Sequence, residues 1–503
     1  MDKDGDKDVL MILASILIPI LSGVILLILR EKFFDHKKIC IYTGIVLAVW
    51  ILVVFGTIFT GQQPFVLLSL NDELKLAFAM DDTGKVFAMV MSTVWTLAGF
   101  YSFEYMKHEE SVKRFFGFYL MAPGALMGLC FAANLFTYYA FYEFMTLLSF
   151  ALVLHNGTRQ ALMAALKYLF YSFAGAYMVL FGLYFVYRNA NDPTCAFSYG
   201  GIIDMNSAPG GIMTVSMMLM ILGFSVKAGM FPMHGWLPTA HPVAPSPASA
   251  VLSGIIVKAG VLGIIRVIFY IFGSETFSGS AIQTVCLILS LTTVFMGSML
   301  AYKEKVLKKR LAYSTVSQIS YILFGIFMMD PTAYEGAILH VAAHACIKCV
   351  LFLCAGCVIY ITGCTRVEEL RGIGKKMPVM MWCFTIASLG LIGIPPLGGF
   401  TSKWFLCVGA LKAGIPVFSV LGPAILLVSA LLTAGYLLPI SVNAFLPGAD
   451  FETEALTAGV TGSAGSKYHA YSVAKEPSKL MLIPMIILTV LSVLIGMFPE
   501  VLL

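Results

Sequence analysis

Charged residues are scarce in this chain. Only 12 % of its 503 residues are Asp, Glu, Lys or Arg, whereas 59 % are hydrophobic. A soluble domain carries about 25 % charge. No soluble core could hide so many apolar side chains, so a cytosolic enzyme, a nucleic-acid-binding protein and a disordered scaffold are excluded. The composition therefore predicts an integral membrane protein.

Motifs that bind nucleotides or redox groups are also missing. No GxGxxG, P-loop, HExxH or haem-attachment pattern occurs in a credible context. We therefore expect no cofactor and no redox site in this chain. Any redox energy would have to come from partner proteins.

The sequence contains 11 cysteines, and most of them fall inside apolar runs. This placement indicates reduced thiols that pack as small apolar side chains. Cys346, Cys349, Cys354 and Cys357 form two Cys-x-x-Cys pairs that imitate a zinc signature. One helix would spread them over about 16 Å, whereas four sulfurs must lie about 2.3 Å from one zinc ion. We therefore predict no metal site there.

Apolar runs long enough to span a membrane recur along the whole chain. They cover about fourteen segments, at 9–29, 39–60, 83–103, 115–133, 134–154, 164–187, 212–232, 248–271, 280–301, 311–328, 334–360, 378–410, 416–445 and 480–500. FPMHGWLP interrupts the seventh run and IPPLGGF the twelfth. The sequence thus predicts an all-α membrane protein with about 14 transmembrane helices in which spans 7 and 12 are broken.

The two breaks occupy corresponding places in two stretches of five spans. Paired broken helices of this kind are typical of inverted repeats with ion sites near the midplane of the membrane. We expect three N-terminal spans in 1–110, a first repeat in 111–272, a second repeat in 273–446, and a loop with a terminal span in 447–503.

Basic residues in the predicted loops favour one side of the membrane. With alternate crossings, 20 Lys and Arg residues fall on one side and 5 on the other. The positive-inside rule then places both termini outside the cytoplasm.

Seven of the 32 basic residues fall in or at the edge of predicted spans. A charge at mid-membrane costs about 2.5–3.5 kcal/mol even on the mildest scale. We expect Lys85 and Arg266 to reach the membrane interface with their long side chains. The others indicate a polar path through the protein; they are Lys167, Lys227, Lys258, Lys348 and Lys403.

Glu143, in FYEFMTLLSF, is the acid that looks most deeply placed. A desolvated lysine exchanges protons readily, and a nearby carboxylate can hold it charged or release it. Glu143 could therefore work as a switch with a lysine, or form a static buried pair with Lys167 or Lys227.

Histidines add to the protonatable set. His340, His344 and Lys348 are spaced four apart, so they share one face of a helix within about 80°, and imidazoles suit proton relays. His234 and His241 flank WLPTA, where a structural role and a relay role both stay open.

The stretch KAGMFPMHGWLPTAHPVAPSPASAVLSGIIVKAGVLGIIR strongly resembles the signature of proton-conducting membrane subunits. NLFTYYAFYEFMTLLSF, ALKYLFYS, the HAxxK motif at 344–348 and IPPLGGFTSKW match the same family in the same order, over about residues 80–440. The family comprises the antiporter-like subunits of respiratory complex I, the large subunits of Mrp-type sodium/proton antiporters, and counterparts in energy-converting membrane hydrogenases. The resemblance implies fourteen helices, two inverted five-helix repeats and a central hydrophilic axis.

The resemblance also implies roles for individual residues. It makes Glu143 and Lys227 the coupling pair, Lys167 an associated base and Lys403 the terminal residue toward the exit side. His234 lies within the signature. The residues that match the central connection are Lys258, His340, His344 and Lys348.

The implied function is translocation of H+, of Na+ or of both within a multi-subunit complex of a prokaryotic cell membrane. GFTSKW and the chain length look most like the Mrp D-type and hydrogenase-linked subunits, because one complex I type has glutamate at the position of Lys403. A complex I subunit stays an alternative, and a self-sufficient solute transporter is a further one. The expected partners are other membrane subunits, with a peripheral redox arm in the hydrogenase and complex I cases, and no nucleic acid.

Overall fold

The structure, a computed structural model, describes residues 3–30, 35–59, 64–204, 209–448, 451 and 469–502, with side chains from residue 9 onward. Every predicted apolar run coincides with helix. Most of the loop predicted between 447 and 479 lies outside the described residues. Lys32 and Lys467, two of the 20 basic loop residues counted on one side of the membrane, also lie outside them.

The chain begins with two helices and a hairpin, and then continues almost entirely as helix. The first elements are α1 (Lys3–Ile28), α2 (His36–Phe59), β1 (Phe65–Ser69), β2 (Lys75–Phe78), α3 (Asp82–Tyr105), α4 (Val112–Cys130), α5 (Leu135–Val153), α6 (Arg159–Asn189) and α7 (Gly210–Ala228). The middle elements are α8 (Leu237–Val243), α9 (Ser246–Val251), α10 (Val257–Ile265), α11 (Ser274–Phe277), α12 (Ala281–Lys303), α13 (Leu307–Phe327) and α14 (Pro331–Thr362). The last are α15 (Pro378–Ile392), α16 (Gly398–Lys412), α17 (Phe418–Phe445), α18 (His469–Val473) and α19 (Lys479–Met497).

Within the described residues, eleven helical segments are long and apolar enough to cross a membrane. They coincide with eleven of the predicted spans and confirm an all-α multi-pass membrane fold, apart from the antiparallel hairpin of β1 and β2. The other three predicted spans coincide with α4, with α13 and with the pair α15 and α16. The two helices of that pair have 15 residues each. The total of fourteen and the inverted repeats stay predictions.

Both predicted interruptions are present. α7 ends at Ala228, where Gly229 adopts a positive φ of 79°, and a 3-10 turn at Met233–Trp236 precedes α8. α15 ends at Ile392, where Gly393 has a φ of 98°, and α16 starts at Gly398. Glycine accepts this left-handed backbone without steric cost, which explains why both helices stop there.

A distortion that the sequence does not predict surrounds α10. π-helical turns at Leu252–Ile256 and Arg266–Ile271 lie on either side of its nine residues. Turns of this width are rare and concentrate at functional sites.

The chain divides into two compact units. The first comprises residues up to Thr96, Ser111–Trp236 and Ile255–Leu289. In it, α6 packs along α7, and α4 packs along α1 and α5. Gly175 and Gly223 let the backbones of α6 and α7 touch, since a Cβ at either would lie 2.5–2.6 Å from the other's carbonyl oxygen.

The second unit comprises Leu97–Glu110, Leu237–Gly254 and Ser290–Leu503. Its central element is α14, which packs against α9, α13, α15, α16 and α19. This surrounded position explains why α14 is apolar on nearly every face, and why its polar side chains must find partners on neighbouring helices.

Candidate functional site

Lys227 is the best-defined buried base of the first unit. It lies one residue before the end of α7, and its side chain is almost fully buried. Its ammonium group donates to Thr146 Oγ1 at 2.9 Å, to Tyr168 OH at 2.8 Å and to Ser172 Oγ at 3.1 Å. Since a lysine ammonium has three N–H donors, neutral hydroxyl groups satisfy all of them.

Aromatic faces complete this hydroxyl cage. Lys227 Nζ lies 4.5 Å from the centre of the Tyr168 ring and 5.4 Å from that of Tyr142. Trp236 packs on Tyr168 and donates its indole N–H to the Val226 carbonyl oxygen at 2.8 Å. That carbonyl belongs to the last turn of α7, so the tryptophan after the break also caps the broken helix.

Glu143 lies near Lys227 without touching it. It is on α5, three residues before Thr146, and it interacts electrostatically with Lys227. Its Oε1 atom is buried and has no hydrogen-bond partner among the described residues. The static pair that the sequence left open is therefore not present between these two residues in this conformation.

Lys167 and His234 are both partly buried, and in the chain they lie one residue before Tyr168 and two residues before Trp236. Lys167 Nζ is 6.0 Å from the centre of the Tyr171 ring, and His234 stacks on Phe231. The Lys167 ammonium would repel a protonated His234 imidazole. Sequence reasoning brought both into the site, and the structure places them in the same unit as Lys227.

Lys258 and Arg266 belong to the distorted helix around α10. Lys258 is completely buried. The interfacial position expected for Arg266 stays a prediction. Arg266 is only 2 % exposed in its side chain. It forms a bidentate ion pair with Asp81, with one distance of 2.8 Å, and its guanidinium lies over the rings of Phe197 and Tyr270.

Sequence reasoning missed the Asp81–Arg266 pair because 185 residues separate the two partners. Asp81 directly precedes α3 and also accepts a hydrogen bond from the Gly84 N–H at 2.9 Å, so it caps that helix. By contrast, Lys85 pairs with the exposed Asp82 at 3.0 Å, as an interfacial lysine would.

The second unit contains its own buried bases on α14. Lys348 is completely buried and donates to Ser314 Oγ at 2.6 Å and to the Leu311 carbonyl oxygen at 3.1 Å. Ser314 also accepts a hydrogen bond from the Tyr436 hydroxyl at 2.7 Å. Lys348, like Lys227, thus donates to neutral oxygen atoms.

The two histidines of α14 are buried one and two turns before Lys348. Their ring centres are 5.9 Å apart. His340 stacks on Tyr321, and its Nδ1 lies 2.8 Å from Ser402 Oγ. The helical spacing in the sequence therefore places His340, His344 and Lys348 in one column, as predicted.

Lys403 lies at the second helix break. Its ammonium donates to the carbonyl oxygens of Leu391 and Ile392, with 3.1 Å to the latter, and it lies 5.0 Å from the centre of the Tyr321 ring. Those carbonyls are in the last turn of α15, where partial negative charge collects. Lys403 is 8 % exposed, so the end of a helix serves as its counter-charge.

The cysteines of α14 face other neighbours. All four are buried, and none of them is in a disulfide. Cys354 contacts the Met485 sulfur of α19 and the Met380 carbonyl, and Cys357 contacts Met485 and the Tyr101 hydroxyl. Within the part of the chain that the structure describes, no group of three or more His, Cys, Asp or Glu side chains is arranged to hold a metal ion.

Two family descriptions match this chain. "NADH:quinone oxidoreductase/Mrp antiporter, TM" matches residues 132–433, and "NADH-Ubiquinone oxidoreductase (complex I), chain 5 N-terminus" matches residues 68–116. These matches confirm the family that the motifs indicated.

Relatives of all three branches are similar to this chain. The N subunit of the NADH-quinone oxidoreductase of Desulforudis audaxviator is 33 % identical over 77 % of this chain and 74 % of that protein. The D subunit of the Na(+)/H(+) antiporter of Bacillus subtilis is 28 % identical over 86 % of each chain. Hydrogenase-4 component B of Escherichia coli is 29 % identical over 66 % of this chain and 50 % of that protein.

Solved structures share the fold. A chain of the Mrp complex from Dietzia sp. DQ12-45-1b superimposes with a TM-score of 0.83 at 20 % identity, covering 100 % of this chain and 96 % of that one. A chain of respiratory complex I from Thermus thermophilus gives a TM-score of 0.79 at 21 % identity, covering 98 % and 96 %.

Proposed function

We propose that this chain, which belongs to the family of NADH:quinone oxidoreductase and Mrp antiporter membrane subunits, is an ion-translocating subunit. It moves H+, or H+ together with Na+, across a prokaryotic cell membrane. It does so as one subunit of a multi-subunit complex. Its termini face away from the cytoplasm, as the distribution of basic loop residues predicts.

The observation that carries this proposal is how the buried lysines are held. Lys227 donates to three hydroxyl groups, and Lys348 donates to a hydroxyl group and a carbonyl oxygen. A hydroxyl group can accept a hydrogen bond from an ammonium and, after it rotates, donate one to a free amine. Such sites tolerate both protonation states, whereas a tight ion pair would lock one of them.

Glu143 supplies the coupling. Its carboxylate and the Lys227 ammonium attract each other without direct contact, so a change in the charge or position of either group acts on the other. In our proposal, Glu143 and Lys227 load and release one proton, and His340, His344, Lys348 and Lys403 pass protons within the second unit. Lys167, His234 and Lys258 supply further protonatable groups in the first unit.

For the branch, we propose the Mrp D-type or the hydrogenase-linked kind. A lysine at position 403 fits the Mrp D-type and hydrogenase-linked subunits, and the antiporter protein of Bacillus subtilis aligns over 86 % of both chains. A complex I subunit is the second candidate, favoured by the 33 % identity to the protein of Desulforudis audaxviator. Mass spectrometry of the proteins that copurify with the tagged chain distinguishes these candidates. Antiporter or hydrogenase subunits would support the first candidate, and quinone-reductase subunits would support the second.

The decisive experiment measures ion movement in inverted membrane vesicles that contain the complete complex. Glu143→Gln and Lys227→Ala should each reduce pH-dye responses to background while the complex still assembles. Lys85→Ala is the matched control, because Lys85 is a lysine in an exposed ion pair at the start of a span. Normal transport by both site variants would refute the proposal. Organic solute uptake by the purified chain alone would favour a secondary transporter.

A further inference from the structure

Gln318 on α13 is completely buried in the second unit. Its amide lies beside the Tyr321 hydroxyl, which itself donates to the Leu426 carbonyl oxygen at 2.8 Å. Neither Oε1 nor Nε2 of Gln318 has a hydrogen-bond partner among the described residues. Because buried amides are almost always paired, this side chain calls for a partner outside the described protein atoms. Water is the smallest group that both accepts and donates.

Contacts between α13 and α14 fix the register of this antiparallel pair. Ser314 accepts a hydrogen bond from Lys348. Tyr321, seven residues after Ser314, stacks on His340, which lies eight residues before Lys348. As the number on α13 rises by seven, the number on α14 falls by eight. Two contacts at this separation define how the polar faces of the two helices oppose each other.

The same register places Gln318 at the level of His344. Ser314, Gln318 and Tyr321 lie within about 60° of one another around α13, at 100° per residue, so they share the face toward α14. Gln318 thus occupies the middle of a polar face that begins at the Lys348 contact and ends at the Tyr321 ring.

The two ends of this face are too far apart for one proton transfer. Seven residues of helix separate Ser314 from Tyr321, which is about 10 Å at about 1.5 Å per residue. Lys403 Nζ lies over the Tyr321 ring at the far end. A proton crosses one hydrogen bond of about 2.8 Å at a time, so this span needs intermediate donors and acceptors.

Ser314 can be the first hydrogen-bond donor of such a chain. Its oxygen accepts two hydrogen bonds, from Lys348 Nζ at 2.6 Å and from Tyr436 OH at 2.7 Å. With both acceptor positions used, its own O–H is left to donate. Gln318 follows one helical turn later on the same face.

We propose that Gln318 binds water at the level of His344 and thereby positions a hydrogen-bonded chain from Lys348 to the His340 and Lys403 end of the second unit. This inference rests on the proposed function. A proton passes from the Lys348 ammonium to Ser314 Oγ, and Ser314 gives its own hydroxyl proton to the first water. Each water accepts one proton and passes one on, and the neutral amine of Lys403 or the neutral ring of His340 takes one up. The amide keeps its own protons, so Gln318 is a positioning residue.

The test compares Gln318→Met with Gln318→Asn in the complete complex. Methionine keeps the length and volume and removes both polar atoms, whereas asparagine keeps a donor and an acceptor. We expect Gln318→Met to lower the transport rate at least tenfold without loss of assembly, and Gln318→Asn to restore at least a third of it. The solvent deuterium isotope effect on the remaining transport should rise in Gln318→Met, which a packing defect would not cause.

Transport by Gln318→Met at the wild-type rate would overturn the inference. If Lys227→Ala is inactive in the same assay, the proposed function survives that result; if Lys227→Ala is also active, the proposed function fails by itself. Should Gln318→Met not assemble, a cryo-EM map of the wild-type complex at water-resolving resolution decides. Water within about 3.2 Å of the Gln318 amide supports the inference, and an amide surrounded only by protein atoms refutes it.

Discussion

The buried pair of Asp81 and Arg266 gives a stability prediction that depends on which partner is removed. Arg266 is 2 % exposed and Asp81 is 31 % exposed in their side chains. Breaking a buried ion pair costs about 3–5 kcal/mol, mainly because a charge stays buried without its partner. Asp81→Asn keeps the helix cap and leaves the guanidinium buried, so we expect a loss of about 3 kcal/mol. Arg266→Met leaves a carboxylate that water can still reach, so we expect about 1–2 kcal/mol.

Thermal unfolding of the detergent-purified complex would rank these variants. The expected order of Tm is wild type highest and Asp81→Asn lowest, with Arg266→Met between them. In the double variant no charge is stranded, so its Tm should exceed that of Asp81→Asn. The reasoning is refuted if Arg266→Met is the less stable single variant, or if adding it to Asp81→Asn lowers the Tm further.

The pH dependence of the same pair has a definite sign. Burial alone would raise the pKa of Asp81, but the hydrogen bonds and charge of Arg266 outweigh it and hold this pKa below its ordinary value. The stabilisation is therefore complete above the unfolded pKa of about 3.9 and is lost as the pH falls through the folded pKa. Asp81→Asn should lose this acid-dependent part of the stability, which unfolding curves at several pH values would show.

Three further predictions concern transport and topology. Lys403→Ala should stop ion movement, whereas Lys403→Glu should keep part of it; a fully active alanine variant would place the path elsewhere. His344→Ala combined with Lys348→Ala should give an assembled but inactive complex, while replacing all four cysteines of α14 by alanine should leave transport and zinc content unchanged. Zinc lost with those cysteines would revive a metal site. Cysteines introduced at Gly5 and at the exposed Ser472 should label from opposite sides of the membrane, and equal labelling would change the span count by one.

Much of the fold could be predicted because the membrane imposes simple rules on the sequence. A run of about 20 apolar residues has few alternatives to a helix in lipid, and Pro and Gly in IPPLGGF mark where one stops. Four-residue spacing was enough to place His340, His344 and Lys348 in one column, and the same geometry separated them from the cysteines.

The partners of the buried charges could not be predicted in the same way. The hydroxyls around Lys227 come from Thr146, Tyr168 and Ser172, and such residues are common in apolar helices without any role of this kind. Asp81 and Arg266 meet only through tertiary packing. The π turns beside α10 leave no signal in hydrophobic periodicity, because nearly all residues of this helical stretch are apolar.

The Lys403 site has a consequence for how the protein can change over generations. A counter-ion made of an aspartate or glutamate is encoded by one codon and is lost in a single substitution. The counter-charge of Lys403 is instead made of peptide carbonyls of Leu391 and Ile392, which every amino acid supplies. No base change in those two codons removes these oxygens, and no acidic medium neutralises them. Selection can therefore adjust this site only through the lysine itself or through the glycine that decides where α15 ends.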